Sequence, residues 1–190
     1  MKNKLNTIFR IVVIATLVSA VISFASVFKM AMEVAEGHVL TKENASSMTT
    51  GLEFYIVTFV LMIASIVFSI VCFKYHNKVF AVGRTLFMGV ALFVHATSLG
   101  FVKKMYPVSK AFRKLDFKDE SDLRNIDPED LDLSRAEMDA FEGAIDMNEN
   151  TAELFVLALI VAVLIFGILA ITSIVSLVKS KKAENTAEIQ

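Results

Sequence analysis

Four long runs of residues without a charged side chain limit the possible folds of this chain more than any other feature. They occupy residues 11–28, 54–73, 85–102 and 154–178, and charged residues flank each run. A helix of about 20 residues crosses the ~30 Å hydrocarbon core of a bilayer, and each run has about that length. Because backbone amides inside hydrocarbon must hydrogen-bond to one another, each run is predicted to form a transmembrane helix.

The composition agrees with a location in a membrane. Hydrophobic residues make up 55% of the chain and charged residues 21%, whereas an ordinary soluble domain is about 45–50% apolar. A chain of 190 residues has the length of one domain. We therefore predict an all-α membrane protein: a single bundle of four transmembrane helices, with a partly helical acidic loop, residues 103–150, outside the membrane between the third and fourth helices.

The residue types that support catalysis or metal binding are scarce. Cys72 is the single cysteine, which excludes an intramolecular disulfide and a cysteine-based zinc or iron–sulfur site within one chain. The sequence pairs no nucleophile with a base and contains no metal-ligand cluster, glycine-rich phosphate loop or nucleotide-binding motif. We therefore expect no enzyme activity, no bound metal and no nucleic-acid partner.

The distribution of positive charge predicts the orientation in the membrane. Basic residues cluster before the first run, between the second and third runs, and after the fourth run: Lys2, Lys4, Arg10, Lys74, Lys78, Arg84, Lys179, Lys181 and Lys182. These three segments lie on one side of a four-span protein, so the positive-inside rule predicts that both termini are cytoplasmic. We expect the membrane to be a plasma or inner membrane. The basic start of the 103–150 loop opposes this orientation, but the first helix and the short loops usually dominate.

The first run has a second interpretation as a cleavable signal peptide, because Ser23-Phe24-Ala25 fits a cleavage site. The run is longer than the usual apolar region of such a peptide, which has about 7–15 residues. It also carries small residues at helical spacing. We therefore interpret it as the first transmembrane helix.

Small residues at helical spacing predict where the helices pack, because helices in lipid associate through close packing and small polar groups. They are Ala15, Ser19, Ser23 and Ser26 in the first run, Thr58, Ser65, Ser69 and Cys72 in the second, Thr85, Gly89, Ala96 and Gly100 in the third, and Ala158, Ala162, Gly167, Ala170 and Ser173 in the fourth. We interpret Thr50–Glu53 and Asn150–Glu153 as capping boxes that start two of the helices. The alternative is that Glu53 and Glu153 form a cation site or proton relay.

The 103–150 loop divides into a basic part and an acidic part. The basic part carries Met105, Val108, Phe112 and Leu115 at helical spacing, which is typical of a short helix lying in the membrane interface. The acidic part, residues 119–149, is predicted to start two short helices near Pro128 and Ser134. It lacks the glycine and glutamate positions of an EF-hand loop, so we expect a solvated acidic face without a specific calcium site.

Apolar residues of this loop are the predicted contact surface for a protein partner or a second copy of the chain: Phe112, Leu115, Leu131, Met138 and Phe141. The loop has too few apolar residues to fold as an independent domain, so we expect it to dock. The leading hypothesis is a non-catalytic integral membrane subunit or scaffold, in which the bundle contacts the lipid bilayer and the loop makes the protein contacts.

His95 is the polar residue of the third run that most needs an explanation, since an ionisable ring in hydrocarbon is often functional. It lies about 10 Å along the helix from the end of its run. One interpretation is a neutral imidazole that hydrogen-bonds to Ser23 or Thr58 on a neighbouring helix. The other is a cofactor-binding role as a haem ligand, or a role in ion or proton transport. A haem held by two histidines needs a second buried histidine, whereas His38 and His76 lie in predicted loops.

Overall fold

The described part of the chain is helical throughout. The computed structural model describes residues 2–35, 42–72, 78–113, 135 and 149–187. Within these ranges the chain forms five helices and no strand: α1 (Lys2–Ala35), α2 (Lys42–Val71), α3 (Lys78–Thr97), α4 (Leu99–Phe112) and α5 (Glu149–Ala187). Four of them contain segments long and apolar enough to cross a membrane: Lys4–Met32, Glu43–Val71, Val79–Thr97 and Thr151–Ser176. For the described residues, the prediction of a helical protein with four long apolar helices is thus confirmed.

The four long helices pack as antiparallel neighbours. Helices α1 and α3 each pack against both α2 and α5. At one end of the bundle, which we call the arginine end, Arg10 of α1 hydrogen-bonds to Ser176 of α5, and Arg84 lies near the start of α3. At the opposite end, Lys29 of α1 forms an ion pair with Glu43 at the start of α2. The first turns of α1 and α3 therefore share an end of the bundle with the last apolar turns of α2 and α5.

Hydroxyl groups join α1 to α2 along the buried side of both helices. Thr16 and Ser65 share a hydrogen bond of 3.2 Å, and Ser19 donates to the Phe54 carbonyl at 3.0 Å. Thr58 donates to the Ser19 hydroxyl at 2.8 Å. All four hydroxyl side chains are buried. Because each hydroxyl finds a partner without water, these bonds stabilise the helix pair in an apolar setting.

Gly51 marks the closest approach of α1 and α2. Ser23 donates a hydrogen bond of 2.7 Å to the Gly51 carbonyl. A Cβ added at Gly51 would lie 2.7 Å from Val27 Cγ2 and 3.3 Å from the Ser23 carbonyl oxygen, whereas unstrained carbon atoms stay about 3.5–4.0 Å apart. The missing side chain therefore lets the two backbones meet.

Apolar side chains cover the outside of the bundle. In the four apolar segments, only 22–33% of the most apolar stretch is buried. Large side chains that are more than half exposed occur on all four long helices, among them Val18, Val60, Leu86, Phe93 and Leu164. A soluble monomer rarely exposes a contiguous apolar patch larger than a few hundred Å², so this exterior suits an apolar surrounding.

Helix α2 begins well before the position that the sequence predicts. The sequence predicts a capping box at Thr50–Glu53 ahead of the apolar run that starts at residue 54, but the helix begins at Lys42. Thr50 is inside the helix, where its hydroxyl donates to the Ser46 carbonyl at 2.9 Å. The prediction of a capping box at this position is therefore wrong. Helix α5 begins at Glu149, within the usual variation of a helix end from the predicted start.

Helix α4 explains why the polar start of α2 is helical. Val108, Ser109 and Ala111 of α4 are buried, and Thr49 of α2 donates to the Ser109 hydroxyl at 3.1 Å. Helix α4 thus packs along α2, whereas the sequence predicted a helix with its apolar side on the membrane interface. Its exposed basic residues are Lys103, Lys104, Lys110 and Arg113.

The third apolar run differs from the single helix predicted over residues 85–102. Helix α3 ends at Thr97 and α4 begins at Leu99, with Ser98 in a turn between them. The Ser98 hydroxyl donates to the Leu154 carbonyl of α5 at 3.0 Å. This bond holds the interruption against a neighbouring helix.

The inward face of α3 also differs from the predicted one. Ala96 and Gly100 are exposed, and a Cβ added at Gly89 would meet nothing within 4 Å. Met88 and His95 are buried instead. Of the predicted packing residues, Ala96 and Gly100 (the latter already in α4) face outward, whereas Thr85 shares a hydrogen bond of 2.8 Å with Ser69 of α2. Ala81 and Ala91, which the pattern did not include, are the buried small residues of α3.

Candidate functional site

His95 is fully buried between α2, α3 and α5. Its ring stacks on the Tyr55 ring with 3.6 Å between centroids and 10° between planes. Its Nε2 lies 3.2 Å from the Tyr55 carbonyl, and because a carbonyl only accepts, Nε2 carries the proton. The Tyr55 hydroxyl in turn donates to the His95 carbonyl at 2.9 Å. Each side chain therefore bonds to the backbone of the other residue, and the pair joins α2 to α3.

An aromatic cluster surrounds this pair. The Phe155 ring of α5 stacks against Tyr55 at 4.7 Å and against Phe101 at 4.5 Å, and Phe59 lies 6.4 Å from the His95 ring. Aromatic contacts of this kind add about 0.5–1.5 kcal/mol each beyond the area that they bury. The cluster thus fixes α5 to α2 and α4 at the level of the Ser98 turn.

The packing of His95 favours a structural role. One face of its ring is covered by Tyr55 and Nε2 is engaged by a carbonyl. The other nitrogen, Nδ1, is buried and has no hydrogen-bond partner of good geometry. The ring also interacts with the backbone of Ala158. A ligand to haem iron must offer a free nitrogen to a large planar group, so in this arrangement the side chain would have to leave its stack first.

The hydrogen-bond partners of His95 are not the ones that the sequence suggested. Ser23 donates to the Gly51 carbonyl, and Thr58 donates to the Ser19 hydroxyl, so both are engaged between α1 and α2. The actual partner is the backbone of Tyr55. A main-chain carbonyl inside a helix usually accepts a hydrogen bond from its own helix, and every residue type carries one. The residue types in the sequence therefore gave no indication that the Tyr55 carbonyl is the partner of His95.

Carboxylates and thiols do not converge in the described part of the chain. Among the residues that the structure describes, no group of three or more His, Cys, Asp or Glu side chains is placed to hold a metal ion. Glu53, which was considered for a cation site or proton relay, accepts a hydrogen bond of 3.1 Å from the Tyr106 hydroxyl of α4. That carboxylate therefore takes part in the contact between α2 and α4.

A second candidate site lies at the arginine end. A cavity of about 550 Å³ opens there between α1, α3 and α5, and we call it the arginine pocket. Its polar lining residues are Asn6, Arg10, Arg84, Thr172, Ser173 and Ser176, and its apolar walls include Phe9, Phe80, Phe87 and Leu169. Among the residues that the structure describes, no acidic side chain lines it.

The two guanidinium groups of the arginine pocket are held by different contacts. Arg10 donates from Nη2 to the Ser176 hydroxyl at 2.7 Å. Arg84 donates from Nε to Ser69 at 3.0 Å and lies 4.2 Å from the centre of the Phe9 ring, a cation–π contact that fixes its plane. The Nη2 of Arg84 is buried without a hydrogen-bond partner. The pocket thus offers positive charge and an unused donor next to apolar walls.

In the sequence, Arg10 and Arg84 indicated only the orientation of the chain in the membrane. The signal for a shared pocket was present, because each arginine flanks the start of an apolar run and both runs begin on the same side. What the sequence did not contain was the packing order that brings α1, α3 and α5 together at that end. Of the predicted contact residues, Phe112 lies at the end of α4, and Leu115, Leu131, Met138 and Phe141 lie outside the described residues, as do the two predicted short helices.

Comparisons with protein-family models, with curated proteins and with solved structures give no significant match to this chain.

Proposed function

We propose that the chain is an integral membrane protein with four transmembrane helices, both termini in the cytoplasm, in a plasma or inner membrane. The apolar exterior of α1, α2, α3 and α5 supports this proposal, because burying it in lipid removes it from water at about 25 cal/mol per Å². The arginine end carries Lys4, Arg10 and Arg84, and the positive-inside rule assigns such an end to the cytoplasm.

Within that membrane, the protein acts as a non-catalytic subunit or scaffold that contacts a partner protein through residues 103–150. The observation that carries this proposal is the docking of α4 on α2. Buried Val108 and the Thr49–Ser109 hydrogen bond hold the start of this segment on the bundle. A segment held at its base presents the following residues to a partner at lower entropic cost than a free chain does.

A replacement of residues 119–149 by a glycine–serine linker of equal length tests the scaffold function. Wild-type and linker proteins are purified in mild detergent after cross-linking in cells, and the co-purifying proteins are compared. We expect the partners to be lost from the linker variant while the bundle still folds, as judged by its helix content. If the linker variant retains the same partners, residues 119–149, which include the proposed contact residues Leu131, Met138 and Phe141, do not make the partner contacts.

The alternative function, a redox or transport component centred on His95, has weaker support. It rests on the buried Nδ1 of His95, which lacks a full hydrogen bond. A visible absorption spectrum of the purified protein, followed by a His95→Ala variant, separates the two functions. A Soret band that disappears in His95→Ala would favour the haem function, whereas the scaffold function predicts no such band.

A further inference from the structure

If the four apolar segments are placed across a bilayer, the arginine pocket comes to lie at the depth where lipid headgroups meet the hydrocarbon core. Arg10 is about 9 Å along α1 from the start of the first apolar segment at Lys4, and Arg84 is about 8 Å along α3 from the start of the third at Val79. Both guanidinium groups therefore lie within the ends of the apolar segments. Positive charge in such a place is costly unless it is paired.

The charge of the pocket is not balanced by the protein residues that line it. Arg10 and Arg84 contribute two positive charges, and the described lining residues contribute no carboxylate. Their protein partners are the neutral hydroxyls of Ser176 and Ser69 and the ring of Phe9. An anion from outside the chain would supply the missing charge.

The geometry of the donors selects the type of anion. An arginine fork matches the oxygen atoms of phosphate, to which it donates two parallel hydrogen bonds. Arg84 has an N–H donor without a hydrogen-bond partner at Nη2, whereas the hydroxyls of Thr172 and Ser173 in the same lining already donate to the Leu169 carbonyl. The two guanidinium groups are therefore the donors that the pocket offers, and their geometry is suited to a tetrahedral oxyanion.

The size and the apolar walls of the pocket favour a ligand larger than a free ion. Its volume of about 550 Å³ is in the range of cavities that hold a whole small molecule, about 300–1,000 Å³. Phe80 and Phe87 beside it are 79% and 64% exposed, so the apolar wall continues onto the outer surface of α3. A ligand with a charged head and an apolar tail fits this arrangement.

We propose that the arginine pocket binds the phosphate group of an anionic phospholipid, whose headgroup enters between α1, α3 and α5 and whose acyl chains lie along the apolar face of α3. Basic pockets between transmembrane helices are a known means of recognising acidic headgroups on the cytoplasmic side. The inference rests on the proposed insertion into a bilayer. It adds a specific lipid ligand and names the residues that hold it.

Native mass spectrometry of the full-length protein in mild detergent tests the proposal. The protein is titrated with phosphatidylglycerol, with phosphatidylcholine and with inorganic phosphate. We expect phosphatidylglycerol to bind about tenfold more tightly than phosphatidylcholine, and Arg10→Gln to weaken it about tenfold, since one charge-assisted hydrogen bond has about that effect. The matched control is Arg113→Gln, which removes the same charge from the exposed end of α4 and is expected to leave lipid binding unchanged.

Arg84→Gln should weaken lipid binding as well. Because Arg84 also contacts Phe9 and Ser69, Arg84→Lys is measured beside it; lysine keeps the positive charge but lacks the paired donors of the guanidinium group. Equal lipid binding by wild type, Arg10→Gln and Arg113→Gln would overturn the proposal. Complete displacement of the lipid by inorganic phosphate would show that the site takes a free anion, and the lipid assignment would be wrong. Resistance of the protein to carbonate extraction from membranes is measured separately, so failure of insertion is distinguishable from failure of lipid binding.

Discussion

Replacement of Gly51 by alanine tests the closest helix contact of the bundle. The added Cβ would lie 2.7 Å from Val27 Cγ2 and 3.3 Å from the Ser23 carbonyl oxygen. Val27 has a short, β-branched side chain with little freedom to turn away, and the carbonyl belongs to the backbone, so α1 and α2 must move apart. Overpacking of this kind costs roughly 1–3 kcal/mol. That movement would also lengthen the Ser23 hydrogen bond to Gly51.

The expected net effect of Gly51→Ala is a loss of about 1–2 kcal/mol in the free energy of unfolding, because alanine regains up to about 1 kcal/mol through its higher helix propensity. The matched control is Gly89→Ala, where the new Cβ would meet nothing within 4 Å. We expect this control to be neutral or slightly stabilising. The same chemical change should therefore lower the free energy of unfolding at Gly51 and leave it unchanged or slightly higher at Gly89.

The measurement is unfolding by sodium dodecyl sulfate in mixed micelles, followed by far-ultraviolet circular dichroism. A double variant, Gly51→Ala with Val27→Ala, removes the atom that clashes and should recover a substantial part of the lost stability, which a double-mutant cycle reports as coupling between the two sites. If Gly51→Ala is as stable as Gly89→Ala, or if Val27→Ala does not rescue it, the close contact of α1 and α2 does not exist as described.

Three further predictions concern buried side chains: Tyr55 and Thr49 of α2, and Cys72 just beyond its end. Tyr55→Phe should lower the free energy of unfolding by about 1 kcal/mol because it removes a buried hydrogen bond. The control, Tyr106→Phe, removes an exposed bond to Glu53 and should have a smaller effect. Equal losses of stability would contradict the buried contact between Tyr55 and His95. Thr49→Val should increase amide hydrogen exchange in α4 about fivefold, and unchanged exchange would show that α4 is held in another way. Cys72 is buried, so it should react with maleimide slowly in mild detergent and rapidly in sodium dodecyl sulfate. A cysteine introduced at the exposed Arg135 in a Cys72→Ser background is the control for rapid labelling, and similar rates in mild detergent would contradict the burial of Cys72.

Hydropathy predicted the existence of the four long helices but not their ends. Apolar runs mark where a helix can lie in lipid, and they carry no information about where a polar helix continues beyond it. Helix α2 extends over residues 42–53 because Met48 and Leu52 become buried there and Thr49 bonds to α4. These contacts join residues far apart in sequence, so no local sequence pattern predicts them.

The interruption at Ser98 shows a second limit of the sequence. Apolar residues continue on both sides of it, and serine is common inside helices of membrane proteins. The break is stabilised by a bond from Ser98 to Leu154 of α5, while Tyr55 of α2 donates to the His95 carbonyl just before it. Both partners are known only once the helices are packed. The small-residue pattern succeeded in the second run, where Thr58, Ser65, Ser69 and Cys72 are all buried. In the third run it failed at Ala96 and Gly100, which are exposed.

The candidate sites divide in the same way. His95 was recognised because a titratable ring in an apolar run is unusual, yet its stacking on Tyr55 depends on the register of α2 against α3. The arginine pocket was missed because Arg10, Arg84 and Ser176 belong to three separate segments. Each of them has an ordinary explanation alone, and only the packing order of the helices brings them together.

Accessibility of single cysteines on intact cells tests the central claim, that the chain crosses a bilayer four times with both termini on one side. In a Cys72→Ser background, cysteines are introduced one at a time at Lys2, Ser121 and Glu188 and labelled with a membrane-impermeant maleimide before and after permeabilisation. The account predicts immediate labelling at Ser121→Cys, and labelling at Lys2→Cys and Glu188→Cys only after permeabilisation. Labelling of all three from the same side of the membrane would contradict it.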